Sequence, residues 1–300
     1  MARAAKPMPN ILQPMLDAFG PLVPARFRSD TPVVPVVRLH GVIGASVPLR
    51  PGLMIATVAR SLERAFGMRN ARAVALAINS PGGSPAQSHL IFRRIRQLAE
   101  ENKLPVFAFV EDVGASGGYM LACAADEIIG DRFSMVGSIG VVGGTFGFDK
   151  LIAKLGIERR LYTSGERKAM LDPFLPEKPE DVKRLKAIQK DIHDEFILLV
   201  KERRAGKLKG ADKTLFSGEF WTAEKALELG IIDKIGDLRG ELRARYGDKV
   251  RMPLISAERS LFGRRLSGVG GFGEAAIPSG LADELVSALE ARALWARFGL

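Results

Sequence analysis

Three hundred residues, 47% hydrophobic and 26% charged, are enough for one large domain or two small ones, and they exclude a chain disordered throughout, a collagen or a coiled coil. The 44 Lys and Arg against 34 Asp and Glu leave a formal charge of +10, which raises nucleic acid or an anionic membrane as a partner. A single cysteine, Cys123, excludes an internal disulfide and a cysteine-based zinc site and points to a reducing compartment.

Residues 1–30 carry Pro7, Pro9, Pro14, Pro21 and Pro24, which interrupt what would have to be the apolar stretch of a signal peptide. They are expected to form a Pro-rich surface arm. No run of about 18 apolar residues follows, so no membrane helix is expected, and the location expected is cytoplasmic, with peripheral contact at the inner face of the membrane. The folded domain is expected over 31–255.

Within it, PVVRLHGVI (35–43) has the β-branched density of a strand, and a helical pattern covers 53–66. AVALAI (73–78) is a second strand, ending in NSPGGS, and a helix follows over 85–101. PVFAFV (105–110) is a third strand that leads through GASGG into a helix over 119–125, with EIIG (127–130) next. This alternation predicts an α/β fold with buried parallel strands.

Residues 134–148 hold five glycines and read as a loop and strand near a site. Beyond them, Val182, Leu185, Ile188, Ile192, Phe196 and Leu199 recur three or four apart, the apolar stripe of one long helix. After Met252 the composition becomes that of a Gly-rich linker and an amphipathic tail, over 256–300, able to dock on a partner, a membrane or its own domain. The basic excess is spread out: residues 60–110 hold eight basic and three acidic residues, and 158–213 hold fifteen and eleven. With only 7% aromatic residues to interleave with it, this charge is not the pattern of a nucleic-acid groove, and no nucleic acid is expected as a partner.

Ser116 sits in Gly114-Ala115-Ser116-Gly117-Gly118, between an apolar strand and a helix, where backbone N–H groups can stabilise an oxyanion. The pattern satisfies the G-x-S-x-G of a nucleophile elbow, but a tight turn with Ser116 as helix N-cap fits this segment equally well. A serine nucleophile needs a base. His40 ends the first strand, His89 lies inside a helix and His193 lies on the charged side of another, so none has the loop setting such a base requires. The other base available is a lysine made neutral by burial or by neighbouring groups. Lys168, in YTSGERKAMLDPF, lies between apolar stretches, although composition alone does not separate it from the other lysines.

Four segments taken together, INSPGGS (78–84), GASGGYMLACAADEI (114–128), GSIGV (137–141) and SGERKAM (164–170), resemble the S49 peptidases over roughly residues 33–254. The resemblance implies a ClpP/crotonase-like spiral of βαβ units, with Ser116 as nucleophile and Lys168, 52 residues on, as general base. It implies the amides of Gly82 and Gly117 as the oxyanion hole, with Gly83 able to share the role, and Ser138 as the residue that orients the lysine. Where ClpP peptidases would place a histidine base, this chain has Gly137, Ser138, Ile139 and Gly140. No metal or organic cofactor is implied. Short members of the family form rings in which adjacent protomers contribute serine and lysine, so a homo-oligomer is expected, with signal-peptide remnants or other hydrophobic peptides as substrates. The rival readings are an acyl-CoA enzyme of the crotonase type, which needs no serine nucleophile, and a non-catalytic peptide-binding ring.

Overall fold

The computed structural model describes residues 31–44, 52–165, 167–255, 289 and 292–300. The expected N-terminal arm, residues 1–30, and the Gly-rich linker, residues 263–280, lie outside the described residues.

Three strands carry the centre of the molecule: β1 (Val36–His40), β2 (Val74–Ser80) and β3 (Val106–Ala115). Between them run the helices α1 (Ile55–Phe66) and α2 (Pro85–Asn102), so consecutive strands pair in parallel. Helix α2 begins where the chemistry of its first residues dictates. Ser84 caps it by accepting from the Gln87 amide at 3.4 Å, and Pro85 fills its first position.

Side chains of β2 alternate between two cores, as a period of two requires. Val74, Leu76 and Ile78 pack with Leu62, Phe66, Ile91 and Ile95 of α1 and α2, and Ala73, Ala75 and Ala77 pack on the opposite face with Phe107, Phe109 and Leu242. Every residue of β2 is buried, which is why AVALAI reads as an unbroken apolar run rather than an alternating one.

Strand β3 runs five residues past the expected end. It pairs β4 (Glu127–Gly130) through Phe107 to Val110, then pairs β5 (Met135–Gly137) through Val113 to Ala115. Between these stretches its register against β2 shifts, from Ile78↔Val110 to Ser80↔Gly114. Glu111 and Asp112 fall at that irregularity, and their polarity ends the apolar run in the sequence while the strand itself continues. The next helix, α3 (Gly117–Ala122), starts two residues earlier than its apolar pattern suggests, directly after Ser116.

The remaining chain wraps this centre. After α4 (Asp149–Lys154) comes the long α5 (Pro179–Arg203), then α6 (Asp212–Leu215), β6 (Phe220–Thr222), α7 (Ala223–Glu228), β7 (Lys234–Ile235), α8 (Leu238–Tyr246) and β8 (Leu254–Ile255). Strand order is β6-β5-β3-β2-β1-β8, with β4 pairing β3 and β7. Among the described strands only the β5–β6 pair is antiparallel. The stripe on α5 is buried unevenly: Phe196 and Val200 are in the core, Val182, Leu185 and Ile192 are half-buried, and Ile188 is 41% exposed.

The inner end of α5 is held by an ion pair. Arg204, 2% exposed, places Nη1 2.6 Å from an Asp233 carboxylate oxygen and donates through Nε and Nη2 to the Gly230 carbonyl. Asp233 also accepts from the Ile128 amide at 2.8 Å and pairs with Lys207 at 2.8 Å. Beside it the Tyr119 hydroxyl donates to the Ile231 carbonyl at 2.8 Å, and burial pushes the Cys123 thiol up to about 12. Burial alone would raise the Asp233 carboxyl, but the hydrogen bonds from Arg204, Lys207 and Ile128 outweigh it and hold the group below its ordinary value. Removing one member of a buried pair strands the other's charge, so Asp233→Ala should lower unfolding free energy in urea by about 3–5 kcal/mol. Because the folded-state value is depressed, this contribution is complete above about pH 4 and is lost as pH falls below it. An Asp233→Asn variant, measured alongside, should show the shallower acid loss.

Candidate active site

Ser116 is the single residue between β3 and α3, at φ 53° and ψ −122°. This backbone conformation is strained for any residue but glycine. It is held from both sides: the Ser116 amide donates to the Gly137 carbonyl at 2.8 Å, and the Ser116 carbonyl accepts from Met120 at 3.0 Å. An N-cap serine would spend its hydroxyl on an amide of the first helical turn. Ser116 makes no such bond; its residue is half-exposed, and among the described residues its hydroxyl has no partner. The geometry is that of a turn which presents the side chain rather than uses it.

The SPGG loop closes on this turn at backbone distance. Gly82 has φ 101°, and a Cβ there would lie 2.7 Å from Ser116 Cβ and 2.9 Å from the Gly117 nitrogen. A Cβ on Gly117 would strike Ser88 Oγ, and one on Gly118 would strike the Ser80 carbonyl. Only glycines allow the two loops to approach so nearly. The Gly117 and Gly83 amides have no acceptor among the described residues, whereas the Gly82 amide points to Ser80 Oγ at a long 3.3 Å. A charged oxygen binds an amide more strongly than a neutral hydroxyl at that range.

Ser138 lies beside Ser116. In the parallel β3–β5 pair Ala115 stands opposite Gly137, so each serine is the residue that directly follows its strand at this paired end. Ser138 is buried, has φ 52° and donates its amide to the Glu219 carbonyl at 2.6 Å. Its loop is held by a residue that sequence reading set aside: His193 of α5 donates through Nε2–H to the Ile139 carbonyl at 3.1 Å. No local pattern around His193 announces this, since its partner lies 54 residues away.

The structure therefore brings Ser116, Gly82, Gly117 and Ser138 together. No hydrogen bond or ion pair among the described residues joins Lys168 to them. It lies on a turn in which its amide bonds the Gly165 carbonyl at 3.1 Å, it is exposed, and its amine has no hydrogen-bond or ion-pair partner among the described residues. The segment around it presents Val142, Phe146, Leu151, Leu155 and Ile157 to solvent, each more than half exposed. Near the serine, the C-terminal residues 292–300 dock on the chain's own sheet. Phe298 is buried against Val113 and Ala115 with its ring 4.8 Å from that of Phe220, and Trp295 meets His40 at 6.2 Å.

The family model for peptidase family S49 matches residues 98–245, which include Ser116, Ser138 and Lys168. The Synechocystis sp. protein slr0021, named for a proposed protease activity, is 31% identical over 204 residues that make up 65% of this chain and 72% of that protein. The chain belongs to peptidase family S49. The family expected from the four motifs, one of serine-type peptidases, is borne out, and the fold is the expected α/β spiral of βαβ units of the ClpP/crotonase kind. The chloroplastic serine protease SPPA of Arabidopsis thaliana is 31% identical over 226 residues, 71% of this S49 chain and 33% of that protein. A Brucella abortus protein named Na(+)/H(+) antiporter NhaA is 55% identical over 284 residues, 93% of this chain. The chain spans only 38% of the length of that relative, and no described helix here is long and apolar enough to cross a membrane.

The contact between the loops gives a direct test. Gly82→Ala adds a Cβ where φ is 101° and Ser116 is 2.7 Å away. It should destabilise the fold by roughly 1–3 kcal/mol and slow labelling of Ser116 by a fluorophosphonate about 10²-fold through misplacement of the turn. Labelling at the wild-type rate would show that the close approach has no bearing on the serine.

Proposed function

We propose that this chain is a serine endopeptidase that hydrolyses hydrophobic peptides, among them signal-peptide remnants, through an acyl-enzyme formed on Ser116. The observation that carries the reading is the strained Ser116, whose hydroxyl is left uncapped while Gly82 is packed against it and the Gly117 amide is free. Ser116 Oγ attacks the scissile carbonyl, and the new oxyanion is stabilised by the amides of Gly117 and Gly82, with Gly83 available to share the second place. Lys168 takes the hydroxyl proton and returns it to the leaving amine, and water then deacylates the enzyme with the same lysine as base. Ser138, one strand away from the nucleophile, orients the amine. Neither metal nor organic cofactor takes part.

A lysine amine is a competent base near neutral pH only where burial or neighbouring groups keep it neutral, and Lys168 is exposed in the single chain. The reading therefore includes a homo-oligomeric ring in which Lys168 of one protomer meets Ser116 of the next. The exposed apolar residues on 142–157 and Ile188 of α5 support such a face, since a monomer rarely leaves so many clustered apolar side chains in water. The peptidase unit is assigned to 31–255, with 1–30 as an arm and 256–300 as linker and tail. Its location is assigned to the cytoplasm, with peripheral contact at the membrane, and its partners to peptides rather than nucleic acid.

Wild type, Ser116→Ala and Lys168→Ala should be incubated with a panel of hydrophobic peptides and the products identified by mass. Either substitution is expected to lower kcat by about 10⁴-fold or more, whereas an acyl-CoA enzyme would keep its activity without the serine. Mixing the two variants then tests the shared site. In a head-to-tail ring assembled at random from equal amounts, about a quarter of sites pair an intact serine with an intact lysine. Recovery of that share of activity is expected, and none is expected if both residues act within one chain.

A further inference from the structure

The serine turn is placed by the end of β3, and β3 reaches it only after losing register with β2. From Ile78↔Val110 to Ser80↔Gly114, β2 advances two residues while β3 advances four. Such an irregularity leaves a strand amide without its ladder partner, and here the amide is that of Val113, fully buried. The side chain of Asn79 fills the gap. Its Oδ1 accepts from the Val113 amide at 3.2 Å, and its Nδ2 donates to a carboxylate oxygen of Asp112 at 2.5 Å. The carbonyl of Asn79 meanwhile accepts from the Gly41 amide at 2.9 Å, which fixes Asn79 itself against the end of β1. On the far side of the bulge, Ser134 Oγ contacts the carbonyls of Val110 and Glu111. Ser134 therefore secures acceptors of the bulge and Asn79 secures its donor.

Three residues beyond Asn79 is Gly82, and three beyond Val113 is Ser116. We propose that Asn79 is a positioning residue for the serine: its carboxamide, clamped by Asp112, sets the register at which β3 resumes and so fixes where Ser116 falls against Gly82. The inference rests on the reading of Ser116 as nucleophile. One residue of slip would move the turn by about 3.3 Å and reverse its side chains, enough to separate Ser116 from the amides that serve it. A leucine of similar size would fill the space without holding the amide, and an aspartate would keep the acceptor but oppose Asp112.

That last property supplies the test, made on the full chain in its assembled state. Asn79→Asp sets two carboxylates against each other, and the double variant Asn79→Asp with Asp112→Asn restores one donor and one carboxylate with their places exchanged. For the single variant, kcat and the rate of fluorophosphonate labelling are expected to fall about 10²-fold with KM little changed, and the double variant is expected to recover most of both. A residue needed only for stability would reduce the fraction of protein labelled, not the rate at which the folded fraction reacts. Wild-type kcat and labelling rate in the single variant, or a double variant no better than the single, would overturn the proposal.

Amide hydrogen exchange over residues 111–118 gives a reading independent of activity: it should quicken in Asn79→Asp and slow again in the double variant, and equal exchange in all three would overturn the clamp. If wild type neither cleaves peptides nor labels, the peptidase reading fails while exchange still decides on Asn79. Asp112 is exposed, so Asp112→Ala tests the clamp without disturbing the core. Faster exchange at Val113 is expected there, and unchanged exchange counts against the proposal.

Discussion

Everything near the serine depends on two backbones coming closer than side chains permit. Gly82 abuts Ser116 and the Gly117 nitrogen, Gly118 faces the Ser80 carbonyl, and Gly83 faces the Ile43 carbonyl, each at a distance that a Cβ would forbid. Because α3 begins at Gly117, this contact also sets how that helix packs over β2 and α2. Tyr119, Leu121 and Cys123, which follow directly, are fully buried. Glycines are costly in entropy and contribute no packing, so four of them around one serine are an expense that packing alone does not explain. What they leave, among the described residues, is a Gly117 amide without an acceptor next to a serine whose hydroxyl is unpaired.

Strain at the serine is tolerated because its surroundings over-determine it. The strands that carry the turn are covered on both faces and central in the sheet, so their ends cannot relax without exposing core. Ser138, which follows the next strand, also has a positive φ, 52°, and is tied by its amide to Glu219 and through Ile139 to His193. Long α5 thus connects its core-anchored end at Arg204 to the loop beside Ser116. The ion pair of Arg204 with Asp233 and the His193 contact are two fixings of one lever.

The sequence was legible wherever the cause was local. Strands buried on both faces announce themselves as apolar runs, Ser84-Pro85 announces the start of α2, and glycines flanking a serine announce a turn that only glycines can make. It was misleading at Glu111 and Asp112, where polarity marked the end of a strand that in fact bends and continues with a new neighbour. It was silent on Asn79 and His193, because their partners are 34 and 54 residues away and a single asparagine or histidine carries no periodic signal. The stripe on α5 was read correctly as a stripe, but its period cannot tell which turns will be buried: Phe196 is covered and Ile188 is not.

The uneven burial of α5 and the exposure of Lys168 are the same problem seen twice. Residues 141–178 leave the sheet, carry the lysine outward and bring few apolar partners with them, so their side chains face water together with the first turns of α5. No described residue desolvates the amine, and none covers Phe146 or Leu155. A single packing event against another protomer would answer both needs, burying apolar surface while removing water from the lysine. The coupling has a kinetic corollary: under the proposed mechanism, activity follows assembly, because the free energy that gathers the protomers is also what makes the base.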